Sequence, residues 1–270
     1  MSVDEHTIEL AGSPVFLRSA TWRGVPALYL HGVPTSSLDW VGFLERTPGI
    51  APDLIGFGRS AKGGHLDYSV EGLATAVDHM LAELEVERMR LVGHDWGALV
   101  ALELAARHPE RIEAVVLCNP LALVDGFRWP GLARMWRRPL LGELLMGATN
   151  RWLIARTLHR GSVRPDAWPE DRIATVWHDF DQGTQRAILR LYRRTHEHRL
   201  ESERAALAKL EAPVLVLWGE QDPWLPVALG DRFASLLRQA RLERVAGAGH
   251  WPWLDRPEVV EQAATFLESS

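Results

Sequence analysis

The sequence predicts an α/β fold: a mostly parallel, eight-stranded sheet flanked by helices, with a helical cap inserted into it. The first observation is that short β-type runs alternate with helical patterns along most of the chain. The second is that this alternation stops between Leu121 and Leu210, where the pattern is helical and broken by prolines. We therefore expect a core made of residues 1–120 and 211–270 and a cap made of residues 121–210.

Each element of the predicted core can be placed from local pattern. The candidate strands are short runs rich in Val, Ile and Leu, namely Ile8–Leu10, Val15–Arg18, Ala27–Leu30, Gly49–Ala51, Arg90–Val92, Ile112–Cys118, Val214–Trp218 and Leu242–Val245. The candidate helices are Ser69–Glu85, Gly97–His108, Val227–Arg238 and Pro257–Glu268. Ser69 is a typical N-cap for the first of these helices, and Pro109 stops the second.

The composition is that of an ordinary globular protein, because 47% of the 270 residues are hydrophobic and 24% are charged. The net charge of −5 gives no reason to expect nucleic acid as a partner. The N-terminal residues lack a signal-peptide pattern, and no apolar run approaches the ~20 residues of a membrane span. We therefore expect a cytoplasmic protein with no membrane partner.

The predicted cap differs from the rest of the chain in charge and in aromatic content. Between Leu121 and Arg204 there are 15 arginines and 10 acidic residues, although the whole chain has a net charge of −5. We interpret these arginines as a solvated helical face rather than an anion-binding surface. Five tryptophans in the cap predict an apolar substrate pocket, and they are Trp129, Trp136, Trp152, Trp168 and Trp177.

The run Gly93–Gly97, with the sequence Gly-His-Asp-Trp-Gly, lies between an apolar run and a helical pattern. A nucleophile flanked by glycines in a strand–turn–helix context is typical of a nucleophile elbow, a sharp turn that leaves little room for nearby side chains. The central residue here is Asp95. A carboxylate is a poor reagent for acyl transfer, but it can displace a leaving group from a saturated carbon. The elbow therefore predicts opening of C–halogen or C–O bonds rather than ester hydrolysis.

Two further residues complete a triad in the order nucleophile, acid and histidine. Asp222 follows the seventh predicted strand, and His250 follows the eighth in a glycine-containing loop. Each residue alone would more often be structural, but their order and context favour catalysis. We interpret His31 and His94 as structural, because His250 already fills the role of base.

The backbone N–H groups of Val33 and Trp96 are the predicted oxyanion hole. In the predicted mechanism, ionised Asp95 attacks the substrate carbon and forms an alkyl ester. His250, oriented by Asp222, then activates the water that hydrolyses this ester. We expect no cofactor and no metal ion.

These motifs resemble the Asp-nucleophile branch of the α/β-hydrolases, which includes haloalkane dehalogenases and epoxide hydrolases. The resemblance runs from His31 to the C-terminal helix and is weakest in the cap. The segments 31–37 and 51–60 are most similar to those of haloalkane dehalogenases. The resemblance implies the α/β-hydrolase fold and hydrolysis at a saturated carbon.

The resemblance also implies residues that bind the leaving group, and these are Trp96, Tyr192 and Trp152. In dehalogenases the tryptophan after the nucleophile holds the halide, and a cap tryptophan, here Trp152 or Trp136, supplies a second donor in one subgroup. In epoxide hydrolases two cap tyrosines protonate the departing alkoxide, and Tyr192 resembles the second of them. A purely packing role for Trp96 and for Tyr192 stays open at this point.

We expect a haloalkane dehalogenase-like hydrolysis that yields an alcohol and a halide. The alternative is an epoxide hydrolase that yields a vicinal diol, and a more remote alternative is a non-catalytic small-ligand receptor on the same fold. The expected partners are water and a small apolar halogenated alkane or epoxide. The expected assembly is a monomer or a homodimer.

Overall fold

The computed structural model describes residues 2–269, and its centre is one eight-stranded sheet. The strands are β1 (Asp4–Leu10), β2 (Ser13–Ser19), β3 (Ala27–Leu30), β4 (Gly49–Pro52), β5 (Met89–Asp95), β6 (Ile112–Pro120), β7 (Val214–Gly219) and β8 (Ala240–Val245). Their order across the sheet is β1-β2-β4-β3-β5-β6-β7-β8. The predicted eight-stranded, mostly parallel sheet is confirmed.

Strands β3 to β8 pair in parallel, whereas β2 pairs antiparallel with both β1 and β4. The central strands are buried on both faces, which explains why they are nearly continuous apolar runs. Because parallel strands end at the same edge of the sheet, the loops after β3, β5, β6, β7 and β8 meet there. This edge carries the candidate site.

Helices cover the sheet and fill the segment between β6 and β7. The α-helices are α1 (Val41–Arg46), α2 (Val70–Glu83), α3 (Trp96–Arg107), α4 (Gly131–Trp136), α5 (Leu141–Ala148), α6 (Arg151–Arg160), α7 (Glu170–Asp179), α8 (Gln182–Arg194), α9 (Arg199–Ser202), α10 (Arg204–Leu207), α11 (Gly230–Ala234), α12 (Pro252–Asp255) and α13 (Glu258–Glu268). Short 3-10 helices span Ser37–Trp40, Pro109–Arg111 and Val227–Leu229.

Local chemistry accounts for the helix boundaries that position the site. The Ser69 side chain accepts a hydrogen bond from the Gly72 backbone N–H, so it caps α2 as the sequence predicts. Helix α3 begins directly after β5, and its first residues are buried. Helices α4 to α10 all lie in the segment predicted as the cap, but the division into a core and a cap domain stays a prediction.

Two elements differ most from their predicted bounds. Strand β1 begins at Asp4 rather than Ile8, because its exposed polar half is held by backbone pairing with β2 and not by an apolar pattern. The helix predicted over Val227–Arg238 is instead a 3-10 turn followed by the short α11. The N–H groups of Leu236 and Leu237 make i to i+3 hydrogen bonds, to Phe233 and Ala234, so the helix tightens and ends early. Across residues 2–269, we find no helix with the length and apolarity needed to cross a membrane.

Candidate active site

Asp95 lies at the junction of β5 and α3, in a backbone conformation with a φ of 49° and a ψ of −113°. This positive φ is rare for a residue with a side chain and places local strain at the turn. Glycine is required on both sides of Asp95, at Gly93 and Gly97, because a side chain at either position would clash with neighbouring backbone. A Cβ at Gly93 would lie 2.7 Å from the Ala98 Cα, and a Cβ at Gly97 would overlap the Leu30 carbonyl oxygen. The turn presents the Asp95 side chain beyond the end of β5.

The Asp95 carboxylate is buried, with 6% of the residue exposed. Its Oδ2 accepts a hydrogen bond of 3.2 Å from the Val33 backbone N–H. Burial raises the pKa of Asp95 to about 6, whereas the charge of His250 and the N–H groups of Val33 and Trp96 oppose this rise. The two backbone groups predicted as the oxyanion hole therefore both interact with the Asp95 carboxylate.

Asp222, in the loop after β7, and His250, in the loop after β8, form a buried pair. The His250 Nδ1 lies 2.7 Å from the Asp222 Oδ2. The Asp222 Oδ1 accepts hydrogen bonds from the backbone N–H groups of Trp224, at 2.8 Å, and Leu225, at 3.0 Å. This pair leaves the Nε2 edge of the imidazole free of Asp222, as a base oriented by a carboxylate requires.

The surroundings shift the pKa values of the two groups in opposite directions, down for Asp222 and up for His250. Burial alone would raise the pKa of Asp222, but the charge of His250 and the hydrogen bonds to Asp222 lower it overall. Burial alone would lower the pKa of His250, but the carboxylates of Asp222 and Asp95 raise it overall. Esterification of Asp95 would remove one of these negative charges, so His250 would then more readily adopt the neutral form that a general base needs.

Asn119 is a site residue whose role the sequence did not indicate. Its Nδ2 donates a 2.7 Å hydrogen bond to Asp222 Oδ2, and its Oδ1 accepts a 3.0 Å hydrogen bond from the Gly219 N–H. Asn119 is fully buried at the end of β6, where its φ is 38°. It therefore fixes the carboxylate that orients His250. The only sequence signal was its place after the sixth strand.

The two histidines interpreted as structural both hold backbone of the site. The His94 Nε2 lies 2.8 Å from the His250 carbonyl oxygen, and the two imidazole rings lie 4.7 Å apart. Burial and the charge of His250 hold the pKa of His94 well below its usual range. The His31 ring lies 2.8 Å from the Gly32 carbonyl oxygen through Nδ1, and its Nε2 accepts from the Leu54 N–H. His31 thus orders the loop that carries Val33.

Asp95 and His250 line a cavity of about 280 Å³ between the sheet edge and the helices that follow β6. Its walls are mainly apolar side chains from α4, α5, α6 and α8, together with Trp224 and Trp251 from the core. A volume of this size suits a small molecule, and few polar groups are available to bind one. The cavity thus encloses the carboxylate in apolar surroundings.

Tyr192 lies on this cavity and is surrounded by tryptophan rings. Its ring centroid lies 4.7 Å from that of Trp96, 5.3 Å from that of Trp136 and 5.4 Å from that of Trp129. Burial raises the pKa of the Tyr192 phenol above its usual range, the charge of Asp95 adds to the rise, and the Trp96 indole partly opposes it. The phenol therefore stays protonated and can act as a donor.

The indole Nε1 atoms of Trp129 and Trp136 are buried without a hydrogen-bond acceptor, whereas the Trp96 indole lies against the Tyr192 phenol and does not line the cavity. A buried, unpaired N–H costs free energy, on the order of 1–3 kcal/mol. Trp129 and Trp136 line the cavity itself. Trp129 was not among the leaving-group residues predicted from sequence, because only the composition of the cap pointed to it.

The structure does not support the predicted role of Trp152 in leaving-group binding. Trp152 is 64% exposed, and it does not line the cavity. It lies on the outer side of α6, where the Arg156 guanidinium packs over its ring at 5.6 Å. The next residues along the helix, Leu153 and Ile154, face the cavity in its place. Sequence spacing alone could not determine which face of α6 is turned toward the cavity.

The loop that carries His250 is bonded to the segment after α6. The His250 backbone N–H donates a 2.6 Å hydrogen bond to the Gly161 carbonyl oxygen. The buried Asp255 carboxylate accepts 2.8 Å hydrogen bonds from the N–H groups of Val163 and Arg164 through Oδ1 and from Gly249 through Oδ2. These bonds join the histidine loop to one corner of the cap segment.

Within residues 2–269, no group of three or more His, Cys, Asp or Glu side chains is arranged to hold a metal ion. The polar groups at the site are instead a carboxylate, a histidine–carboxylate pair and N–H donors. Such an arrangement can carry out nucleophilic attack by Asp95 and base-assisted addition of water.

Comparison with known proteins identifies the fold family. Residues 26–257 match the family described as the alpha/beta hydrolase fold. The chain belongs to the α/β-hydrolase family, as the sequence motifs predict. A solved structure of the epoxide hydrolase CorEH superposes with a TM-score of 0.85 at 21% identity, covering 99% of this chain and 99% of that chain.

Relatives whose names state an activity include members of both predicted groups. The haloalkane dehalogenase DbeA from Bradyrhizobium elkani superposes with a TM-score of 0.84 at 25% identity, covering 100% of both chains. Epoxide hydrolase 1 of Caenorhabditis elegans is 24% identical over 87% of this chain, and epoxide hydrolase 3 of Mus musculus is 26% identical over 89%. The chain spans 62% and 69% of the lengths of these two relatives. Together they support a hydrolytic enzyme.

Proposed function

We propose that this chain is a cofactor-free hydrolase that forms an alkyl ester on Asp95 by attack at a saturated carbon. The His250–Asp222 pair then activates water, which attacks the ester carbonyl. The Val33 and Trp96 N–H groups stabilise the resulting oxyanion on the Asp95 side chain. The aspartate in the elbow carries this proposal, because a serine there would instead support acyl transfer.

The leaving group that the site favours is a halide. The observation that supports this choice is the pair of buried indole N–H groups without acceptors that line the cavity, on Trp129 and Trp136. A departing halide needs donors that stabilise its charge and does not need a proton. Indole N–H groups provide such donors, since they do not ionise in the physiological range. Haloalkane dehalogenase-like activity on a small apolar substrate is therefore the leading proposal.

Epoxide hydrolysis is the second candidate, and Tyr192 is the observation that favours it. Its phenol lies on the cavity, feels the charge of Asp95 and stays protonated. A phenol can donate its proton to the alkoxide that forms when an epoxide ring opens. Within residues 2–269, Tyr192 is the one tyrosine that lines this cavity.

Trapping the covalent ester tests both candidates at once. His250→Phe leaves the nucleophile in place but removes the base, so incubation with 1-bromobutane is expected to add one butyl group to the intact protein. The Asp95→Asn/His250→Phe double variant is the matched control and is expected to gain no mass. With the natural chain, bromide release from 1-bromobutane and diol formation from styrene oxide are measured in parallel.

The outcomes separate the candidates. A butyl adduct with bromide release and no diol supports the dehalogenase. An adduct with styrene oxide alone, together with diol release, replaces it by the epoxide hydrolase. If neither reagent labels His250→Phe and neither is turned over, the nucleophile assignment is wrong and a ligand receptor on this fold is favoured.

A further inference from the structure

The large apolar side chains that this protein exposes are concentrated on one part of the cap segment. Within residues 2–269, all of the large hydrophobic residues that are exposed fall on α4, α5, α6 or directly beside them. They are Leu132, Met135, Leu140, Leu144, Trp152, Leu153 and Val163. Leu140 is 79% exposed, Leu144 71% and Trp152 64%. Such a concentration of exposed apolar surface indicates an interaction site.

The same segment is strongly basic. Residues 128–164 contain a single acidic residue, Glu143, which pairs with Arg193 at 2.7 Å. They contain eight arginines, namely Arg128, Arg134, Arg137, Arg138, Arg151, Arg156, Arg160 and Arg164. The whole chain carries a net charge of −5, so this local excess of positive charge is opposite in sign to the rest. We call the exposed apolar residues and the six exposed arginines of this segment the cap patch; these arginines are Arg128, Arg134, Arg138, Arg156, Arg160 and Arg164.

Several arginines of the cap patch have no partner that would neutralise them. Arg134, Arg138 and Arg160 are exposed, and their guanidinium groups make no ion pair with any residue of the 2–269 range. Arg156 packs over the exposed Trp152 ring, which places a cation beside an aromatic side chain at the surface. Neighbouring arginine, tryptophan and leucine side chains match the chemistry of proteins that lie on a lipid interface.

We propose that the cap patch binds reversibly to the surface of an anionic lipid bilayer. Leu140, Leu144 and Trp152 would enter the boundary between headgroups and acyl chains, and the arginines would pair with lipid phosphates. Charge argues against a second copy of this chain as the occupant. A two-fold interface through this patch would face the six exposed arginines with the same six arginines.

The cap patch is continuous with the mouth of the active-site cavity. Leu132 is 43% exposed and Leu153 is 38% exposed, and both also line the cavity above Asp95. Binding of the patch would therefore place the mouth at the apolar phase in which an apolar substrate concentrates. This consequence rests on the proposed function, whereas the binding itself does not. The proposal differs from the sequence-based expectation of a purely solvated arginine face and of no membrane partner.

Vesicle flotation tests the proposal without measuring turnover. The natural chain is expected to float with vesicles of phosphatidylcholine and phosphatidylglycerol, to stay in solution with phosphatidylcholine alone and to be released by high salt. Arg134→Gln/Arg138→Gln/Arg160→Gln is expected to weaken binding about 100-fold, from ~1 kcal/mol for each cation near the surface. Leu140→Ser/Leu144→Ser/Trp152→Ser is expected to weaken it at least about tenfold.

The matched control removes the same charge from the core. Arg23→Gln/Arg238→Gln/Arg241→Gln is expected to bind anionic vesicles within about twofold of the natural chain, because these arginines lie outside the patch. Equal losses in the control and the arginine variant would reduce the effect to net charge and overturn the proposal. Failure of the natural chain to float would also overturn it. A dimer in light scattering that the leucine–tryptophan variant abolishes, with no flotation, would favour the second copy instead.

Discussion

The cavity has two sides, the sheet edge that carries Asp95 and Asp222, here called the floor, and the helices α4 to α8, here called the roof. The two sides differ in how their polar groups are paired. On the floor, the carboxylates of Asp95 and Asp222 accept hydrogen bonds from backbone and side-chain donors. On the roof, the indole N–H groups of Trp129 and Trp136 have no acceptor. The floor carboxylates are paired before substrate arrives, whereas the roof retains unpaired donors on Trp129 and Trp136. We therefore expect the floor to supply the nucleophile and hold the intermediate, and the roof to select the leaving group.

The largest expected effect comes from breaking the floor at its nucleophile. Asp95→Asn is expected to lower kcat/KM by about 10⁴-fold or more, because an amide does not displace a leaving group and the ester cannot form. Release of bromide or diol measures the loss. Retention of more than a small part of the activity would show that another residue attacks the substrate.

The same variant is expected to unfold at a higher temperature, which separates lost chemistry from lost structure. The folded pKa of Asp95, about 6, lies above its ordinary value of 3.8. A group with a raised pKa contributes stability below its unfolded pKa, and this contribution is lost as the pH rises through the folded pKa. The ionised carboxylate therefore costs stability at neutral pH, at most about 3 kcal/mol, and asparagine avoids that cost. A lower melting temperature for Asp95→Asn would contradict this account.

A smaller effect is expected from the roof, and it has a matched control in the same part of the chain. Trp136→Phe keeps an aromatic ring but removes a buried donor, so it is expected to lower kcat for halide release about 10²-fold. Trp152→Phe removes an indole N–H that lies outside the cavity and is expected to change kcat less than twofold. Steady-state kinetics with one haloalkane compares the two. If both variants lost the same factor in kcat, the loss would not depend on whether the indole N–H lies in the cavity.

The smallest expected effect is the dependence on pH. Attack requires ionised Asp95, whose pKa is raised to about 6 by burial, so kcat/KM is expected to fall about tenfold for each pH unit below 6. An exposed carboxylate near 3.8 would keep the rate constant down to about pH 4. A profile without a limb near 6 would mean that the cavity admits more water to Asp95 than its burial indicates.

The parts of the molecule that the sequence predicted well are those in which one chemical pattern determines one structure. The apolar runs of β3 and β5 to β7 are buried on both faces, so composition alone locates them. The elbow at Asp95 is similarly predictable, since the flanking glycines are required by contacts within a few residues and with β3. The order of Asp222 and His250 along the chain then places them at the same sheet edge.

The parts that could not be predicted depend on contacts between distant segments. Trp152 and Trp136 are both tryptophans on short helices, and only the packing of α4 and α6 decides that one faces the cavity and the other faces outward. Asn119 acquires its role because the register of β6 with β7 brings it to Asp222 and the Gly219 N–H. Neither the rotation of a helix nor the meeting of two loops leaves a local signal in the chain.

The hydrogen bonds between the histidine loop and the segment after α6 limit which part of the roof can open during the reaction cycle. Since the His250 N–H is bonded to the Gly161 carbonyl and Asp255 joins Gly249 to Val163 and Arg164, we expect the histidine loop and this corner of the roof to move together. This corner is therefore the part of the roof that we expect to stay fixed. Opening for substrate or product is expected at the opposite side, around α4 and α5, so that passage leaves the alignment of the base undisturbed.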